Sequence, residues 1–182
     1  TILHAAKDAS SFGVPIVGVN MGSVGFMAEL EQNELSQLTR LVSGEYTLEN
    51  RMLLDVRVIR DGRVIFRSVA LNDAVITKGA VARVIDLQVY GDKILISNIF
   101  GDGVILATPT GSTAYSLSAG GPIVEPTAEN IIMTPISAHT LQSKAMVLDK
   151  NRLIDITVPK QSRKTAYLSV DGGKAFKLIS GD

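Results

Sequence analysis

The sequence has 182 residues, 46% of them hydrophobic and 20% charged, with eighteen Lys plus Arg balancing eighteen Asp plus Glu. This is the composition of a folded globular protein, and zero net charge leaves no global field to gather nucleic acid or an anionic membrane. The absence of cysteine excludes a disulfide framework, a thiolate metal site and a thiol nucleophile and fits a cytoplasmic setting, while no apolar run approaches the roughly 20 residues of a membrane span.

The sequence opens at Thr1 without an initiator Met and stops at Asp182 directly after an apolar run, so both ends read as cut. Ile2 to Ser11 carries Ile2, Leu3, Ala5, Ala6 and Ala9, an apolar stripe at helical spacing that runs out at Gly13. Val14 to Asn20 is a continuous apolar run with β-branched residues, the pattern of a buried parallel strand, followed by the glycine-rich turn Gly22 to Gly25. Leu35, Leu38, Leu41 and Val42 recur three and four apart before Gly44, predicting a second helix with a left-handed glycine cap. From Thr47 onward, short runs rich in Val, Ile, Thr and Tyr alternate with turn signals. Leu54 to Arg60 and Arg63 to Ser68 flank Asp61-Gly62, and Val84 to Tyr90 and Lys93 to Phe100 flank Gly91-Asp92, two hairpin signals. Further strands are predicted at Asn130 to Pro135, Leu153 to Val158, Thr165 to Val170 and Ala175 to Ile179, the last pair joined through Asp171-Gly172-Gly173. So many strands imply a sandwich or a closed sheet. The expected fold class is α+β: residues 1–30 end an N-terminal α/β, Rossmann-like domain, residues 31–46 form a helical connection, and residues 47–182 form a mostly antiparallel β-sandwich.

The densest cluster of unusual residues is Gly101-Asp102-Gly103, a short apolar run, and then Thr108-Pro-Thr-Gly-Ser-Thr-Ala-Tyr-Ser-Leu-Ser-Ala-Gly-Gly-Pro122. Glycines let a backbone approach a ligand, hydroxyls both donate and accept, and a carboxylate at Asp102 can hold a sugar hydroxyl. These are the needs of a nucleoside site, although a turn followed by a solvated loop fits the same residues.

GDG followed, eleven positions after its Asp, by TAYxxS, with TPTG before it and AGGP after it, resembles the signature of the NAD kinase family. Gly18-Val-Asn-Met-Gly-Ser-Val-Gly-Phe26, Asn50-Arg-Met-Leu53 and Leu71-Asn72-Asp73 agree with family stretches in the same order, and Met133 to His139 and Ser169 to Gly172 do so more weakly. The resemblance implies transfer of a phosphoryl group from ATP, or from polyphosphate, to the adenosine ribose 2′-hydroxyl of NAD to give NADP, with Mg²⁺ or another divalent metal accompanying ATP. It also implies substrate-binding residues. Asn72 and Asp73 would hold the adenosine end, and Asp102 would reach the nicotinamide side. Thr113, Ala114, Tyr115 and Ser118 would surround the adenine, with Ser116 and Leu117 in the same stretch and Thr110 and Phe26 adding walls. His4, one turn into the first helix, would approach the pyrophosphate, and Arg83 matches a family position at the dinucleotide site. No residue of the sequence is assigned to a protein-held metal.

Two departures from the family pattern matter. The catalytic GGDG motif ends at the residue before Thr1, so the aspartate expected as general base is not in this sequence. Gly173 stands where the family often has Gln after Asp-Gly, removing one side-chain contact to the dinucleotide. Asp171, in its DGG turn, reads as structural, and His139 has no partner at metal or triad spacing. Gly18, Gly22 and Gly25 do not make G-x-G-x-x-G, no P-loop occurs, and Ser112 is not in G-x-S-x-G, so a dehydrogenase, a P-loop enzyme and a serine hydrolase are set aside. The remaining rivals are a dinucleotide sensor without catalysis and a lipid kinase of the diacylglycerol or sphingosine type. By the resemblance, the partners are NAD and ATP, with a homodimer or homotetramer formed through the β domain; neither nucleic acid nor membrane is expected.

Overall fold

The computed structural model describes residues 2–22, 28–79, 83–139, 144–159 and 164–182. The chain divides into two compact units, Thr1–Arg51 and Met52–Asp182. In the first, the apolar stripe forms helix α1, Ile2–Phe12, and Gly13 leaves it at φ 63°. The strand predicted from Val14 contracts to β1, Val19–Asn20, which pairs in parallel with β2, Leu30–Glu31. Two residues of partner strand can satisfy no longer a ladder, and Gly18 ahead of them is tied instead to the side chain of Glu29, whose Oε2 accepts its N–H at 2.6 Å.

The second predicted helix is split. A 3-10 segment, Gln32–Leu38, opens on a reciprocal cap between Glu31 and Glu34, and only Thr39–Ser43 is α-helical, as α2. Thr39 donates its hydroxyl to the Ser36 carbonyl at 2.8 Å, an i to i−3 bond that suits the tighter spiral. Gly44 closes the segment at φ 76°, in the left-handed conformation expected of it.

The second unit is an antiparallel β-sandwich, which with the helices makes the fold α+β. Strands β3, Leu54–Arg60, and β4, Arg63–Ala70, form a hairpin around Asp61 and Gly62, both at positive φ, as the Asp-Gly signal predicts. β5, Asp73–Thr77, follows; β6, Ile85–Gly91, and β7, Ile94–Gly101, form the next hairpin, and β8 is Gly103–Ala107. After the short helix α3, Tyr115–Ser118, come β9, Asn130–Ile136, β10, Met146–Asp149, β11, Ile154–Thr157, β12, Ala166–Val170, and β13, Phe176–Leu178. Six strands pair in the order β10-β9-β8-β5-β12-β13, three in the order β11-β6-β7, and β3 pairs with β4.

Strand alternation assigns the faces of the six-stranded sheet. Ile76, Val104, Met133 and Leu168 point to one side and pack with Leu87, Val89 and Ile99 of the three-stranded sheet, forming the main core. Leu87 and Ile99 are 1% exposed, and burial of such a side chain contributes about 1.5–3 kcal/mol. Val75, Ile105, Ala107 and Ile132 point to the opposite side and pack with Ala119 and Val124. The glycine- and hydroxyl-rich run therefore lies over the sheet face that the main core leaves open, and Asp73 shares the face of Val75.

Among the described residues no helix is long and apolar enough to cross a membrane. The β6–β7 turn differs by one residue from its predicted position: Asp92 and Lys93 occupy the positive-φ positions, at 52° and 69°, and Gly91 ends β6. A Cβ on Gly91 would stand 3.1 Å from Nε of Arg152, a tight contact with a side chain that itself donates to Asp92 at 3.0 Å.

Candidate functional site

The site is built around the bend between β4 and β5. Leu71, Asn72 and Asp73 carry six backbone polar groups, and two residues satisfy all of them. Asp171 accepts the Leu71 N–H on Oδ2 at 2.8 Å and those of Asn72 and Asp73 on Oδ1 at 2.8 and 3.0 Å. Its own N–H donates to the Asp73 carbonyl at 2.9 Å. Thr108 donates its hydroxyl to the Leu71 carbonyl and its N–H to the Asn72 carbonyl, the latter at 2.9 Å. Buried backbone groups must be paired, and here the Asp171 and Thr108 side chains make four of the six bonds.

The side chains on this corner are treated differently. Oδ1 of Asn72 is buried with no hydrogen-bond partner among the described residues. Asp73 is 6% exposed, and its carboxyl is pushed up to about 6, first by burial and then by the negative charge of Asp171. A buried acceptor without a donor is costly, and the Asn72 amide oxygen is one that a ligand's donor could satisfy.

The run after Thr108 closes over this corner. The Gly111 N–H donates to the Thr108 hydroxyl at 3.1 Å, and a Cβ on Gly111 would stand 2.0 Å from the Asn72 carbonyl oxygen, so only glycine fits. The Ser112 hydroxyl accepts the Val124 N–H at 3.1 Å, closing the loop at its far end. Thr110, 6% exposed, starts a 3-10 turn through Thr113 that leads into α3. Tyr115, Leu117 and Ser118 present exposed side chains, and Thr113 and Ala114 are half-buried. Ser116 points inward: it is fully buried and shares a hydrogen bond of 2.8 Å with the Thr134 hydroxyl, so it fixes α3 to β9 and offers no surface. Gly121 packs against the same pair, since a Cβ there would come within 2.3 Å of the Ser116 hydroxyl.

Asp102 lies elsewhere. Asp73 pairs with Ala107 and Thr77 with Gly103, placing Asp102 beyond the other end of this strand pair, roughly 15 Å from the corner at about 3.3 Å per residue. Its N–H donates to the Ile136 carbonyl at 2.9 Å, and its carboxylate is 2.7 Å from Nζ of Lys78. Both flanking glycines are sterically required: a Cβ on Gly101 would be 2.8 Å from Ala138 Cα, and one on Gly103 would be 2.0 Å from the Ile76 carbonyl oxygen. Lys78 carries no motif in the sequence and emerges only from the fold.

Arg83 is exposed on the approach to β6, and His4 is exposed on α1 in the other unit. Phe26, with Ser23 to Gly25, lies outside the described residues. A depression of about 470 Å³ at Gly120, Gly121, Thr134 and Lys144 contains none of the predicted binding residues.

The β-sandwich thus sets a bonded corner carrying an amide and a carboxyl beneath a glycine- and hydroxyl-rich loop. Residues 71–182 match the model of the ATP-NAD kinase C-terminal domain, and the chain belongs to the NAD kinase family. It is 42% identical over 183 residues to an NAD kinase of Ruminiclostridium cellulolyticum and 44% identical over 185 residues to one of Aquifex aeolicus, in both cases across 100% of the chain. The chain spans 64% and 66% of those two proteins. Among solved structures, a yeast NADH kinase complexed with NADH superposes with a TM-score of 0.86 at 30% identity, over 100% of this chain and 52% of that one. An NAD kinase from Archaeoglobus fulgidus in complex with ATP gives 0.76 at 30% identity, over 91% of this chain and 62% of that one.

Proposed function

We propose that this chain carries the dinucleotide-binding part of an NAD kinase, an enzyme that phosphorylates the adenosine ribose 2′-hydroxyl of NAD with Mg-ATP, or polyphosphate, to make NADP. The observation that carries the proposal is the corner at residues 71–73, whose backbone is fully bonded while Asn72 Oδ1 is buried without a donor and burial raises the Asp73 carboxyl. An adenine amino group and ribose hydroxyls supply such donors. In this reading Asn72 and Asp73 hold the adenosine, while Thr110, Thr113, Ala114, Tyr115, Leu117 and Ser118 form the wall beside it. Ser116 supports that wall from within. An extended dinucleotide reaches toward Asp102 at its nicotinamide end, and His4, Phe26 and Arg83 complete the binding set.

The reaction asks for positioning, charge neutralisation and removal of the hydroxyl proton. By family resemblance the proton goes to the aspartate of the GGDG motif, so the residues described above bind and orient. Among the described residues no three His, Cys, Asp or Glu stand together as a metal cage. The divalent ion that neutralises the donor phosphates is assigned to ATP itself, since Mg²⁺ is commonly held by phosphates and water with few protein ligands. A cytoplasmic location and a homodimer or homotetramer belong to the same proposal; β7, at the end of its sheet, leaves Ile94 and Leu95 exposed as one surface for association.

The deciding experiment is incubation of the complete protein with Mg-ATP and NAD, with NADP read by an NADP-specific dehydrogenase. NADP formation is the expected result. NAD binding without NADP would replace the proposal by a dinucleotide sensor, and absence of both would overturn it.

A further inference from the structure

The corner at residues 71–73 owes its shape to two residues that the sequence gives no reason to connect with it. Asp171 lies about a hundred residues further along the chain, at the tip of the β12–β13 hairpin, with φ 49° there and 67° at Gly172. The tip is itself fixed, since the Gly173 N–H donates to the Val170 carbonyl at 2.9 Å and the Ser169 hydroxyl to the Gly173 carbonyl at 2.9 Å. β12 runs antiparallel to β5 with Val170 opposite Ala74, so the carboxylate of the next residue lands on the three N–H groups of the bend. A carboxylate accepting several backbone N–H bonds is a charge-assisted anchor of fixed geometry. Thr108 occupies the other side, taking both remaining carbonyls and passing its hydroxyl oxygen to the Gly111 N–H.

We propose that Asp171, acting with Thr108, is a positioning residue of the dinucleotide site: it sets the backbone of residues 71–73 so that the Asn72 and Asp73 side chains meet the ligand's donors. The inference rests on the NAD-kinase reading for the identity of that ligand. Asp171 touches no ligand in this scheme; it acts through the corner, and its negative charge adds to the burial that raises the Asp73 carboxyl. Thr108 couples the same corner to Gly111, so the loop over the adenosine and the residues under it move as one piece.

The test uses the complete protein with Asp171→Asn. A carboxamide has one acceptor oxygen and turns an N–H₂ toward backbone donors, so the triple bond set cannot persist. The expected result is a KM for NAD raised about tenfold or more, with the KM for ATP changed less than about twofold and the thermal transition still cooperative. Thr108→Ser, which keeps the hydroxyl, should retain the wild-type KM for NAD, whereas Thr108→Val should raise it. An unaltered KM for NAD in folded D171N, or equal increases for NAD and ATP, overturns the proposal. Should D171N not fold, the Thr108 pair decides: a wild-type KM for NAD in T108V overturns it. If the wild-type protein makes no NADP in the same assay, the kinase reading falls and this role falls with it; NADP from the wild type beside an unaffected D171N removes the role alone.

Discussion

Two aspartates of the sandwich are treated in opposite ways. The side chain of Asp182 is 2% exposed and receives Arg60 in a bidentate pair, Nε to Oδ1 at 2.7 Å and Nη2 to Oδ2 at 2.6 Å, together with the Ile179 N–H at 2.9 Å. The Arg60 guanidinium holds that carboxyl below its ordinary range. Asp73, at 6% exposure, has no such cation, and burial followed by the charge of Asp171 raises its carboxyl to about 6. Burial alone does not set a titration; the partner does. The fold supplies Asp182 with a cation and leaves Asp73, in the corner proposed to bind the ligand, without one.

Replacing Gly111 with Ala attacks the unsatisfied region most directly, because its Cβ would need the space of the Asn72 carbonyl oxygen, 2.0 Å away. The variant should lose at least about 2 kcal/mol of stability through overpacking against backbone and should lose NAD binding, while Arg60 and Asp182 stay paired. Thermal denaturation and titration calorimetry read the two effects. Wild-type behaviour in both would mean that the corner is not rigid.

Single carboxamide substitutions sharpen the contrast, because the same chemical change should have opposite signs in the two places. Asp73→Asn removes a charge that the folded state disfavours and should raise stability at pH 7 by an amount on the order of 3 kcal/mol, since the carboxyl moves from 3.8 to about 6 and each unit of pKa displacement corresponds to about 1.4 kcal/mol. It should also weaken NAD binding, the usual exchange of function for stability at a strained site. Asp182→Asn breaks a satisfied pair and should lower stability without changing NAD affinity. Chemical denaturation of the two variants side by side measures this, and a fall in stability for both would erase the distinction.

Much of this contrast lies beyond what local pattern can reveal. The Asp61-Gly62 hairpin was legible because two adjacent residues at positive φ leave a short sequence signature. The β6–β7 turn was legible in place but one residue out, since Asp92 and Lys93 rather than Gly91 take the positive-φ positions. Strands β5 and β8 had no legible pattern: each has five residues, they pair with one another inside the six-stranded sheet, and both faces are covered, so alternation is lost. The loop from Thr108 to Pro122 announced itself through composition. Asn72 and Asp73 were singled out through family resemblance alone, and the bonds from Asp171 that hold them span about a hundred residues. Ser116 shows the converse limit: its position in the motif marks it for the ligand, and its burial against Thr134 gives it to the core.

The smallest expected effect is one of proton linkage, and its sign distinguishes the two regions. In the unfolded chain Asp73 titrates near 3.8 and in the folded protein at about 6, so between those values the folded state binds the extra proton. Its contribution therefore makes stability fall as pH rises from about 4 to about 6. Asp182, with its folded value lowered, acts the other way: its stabilisation is present above the unfolded value and is lost as pH falls through the folded one. Ligand binding adds a further signature at Asp73 alone. Donors from the adenosine favour the ionised carboxylate, so NAD should drive the Asp73 value back down, binding should release a fraction of a proton near pH 5.5, and affinity should rise with pH until it levels off above about 6. Calorimetric titrations of NAD at pH 5.5, in buffers of different ionisation enthalpy, measure that proton directly. Asp73→Asn should abolish the release and Asp182→Asn should leave it unchanged, because only the carboxylate without a partner has a proton to give up to the ligand.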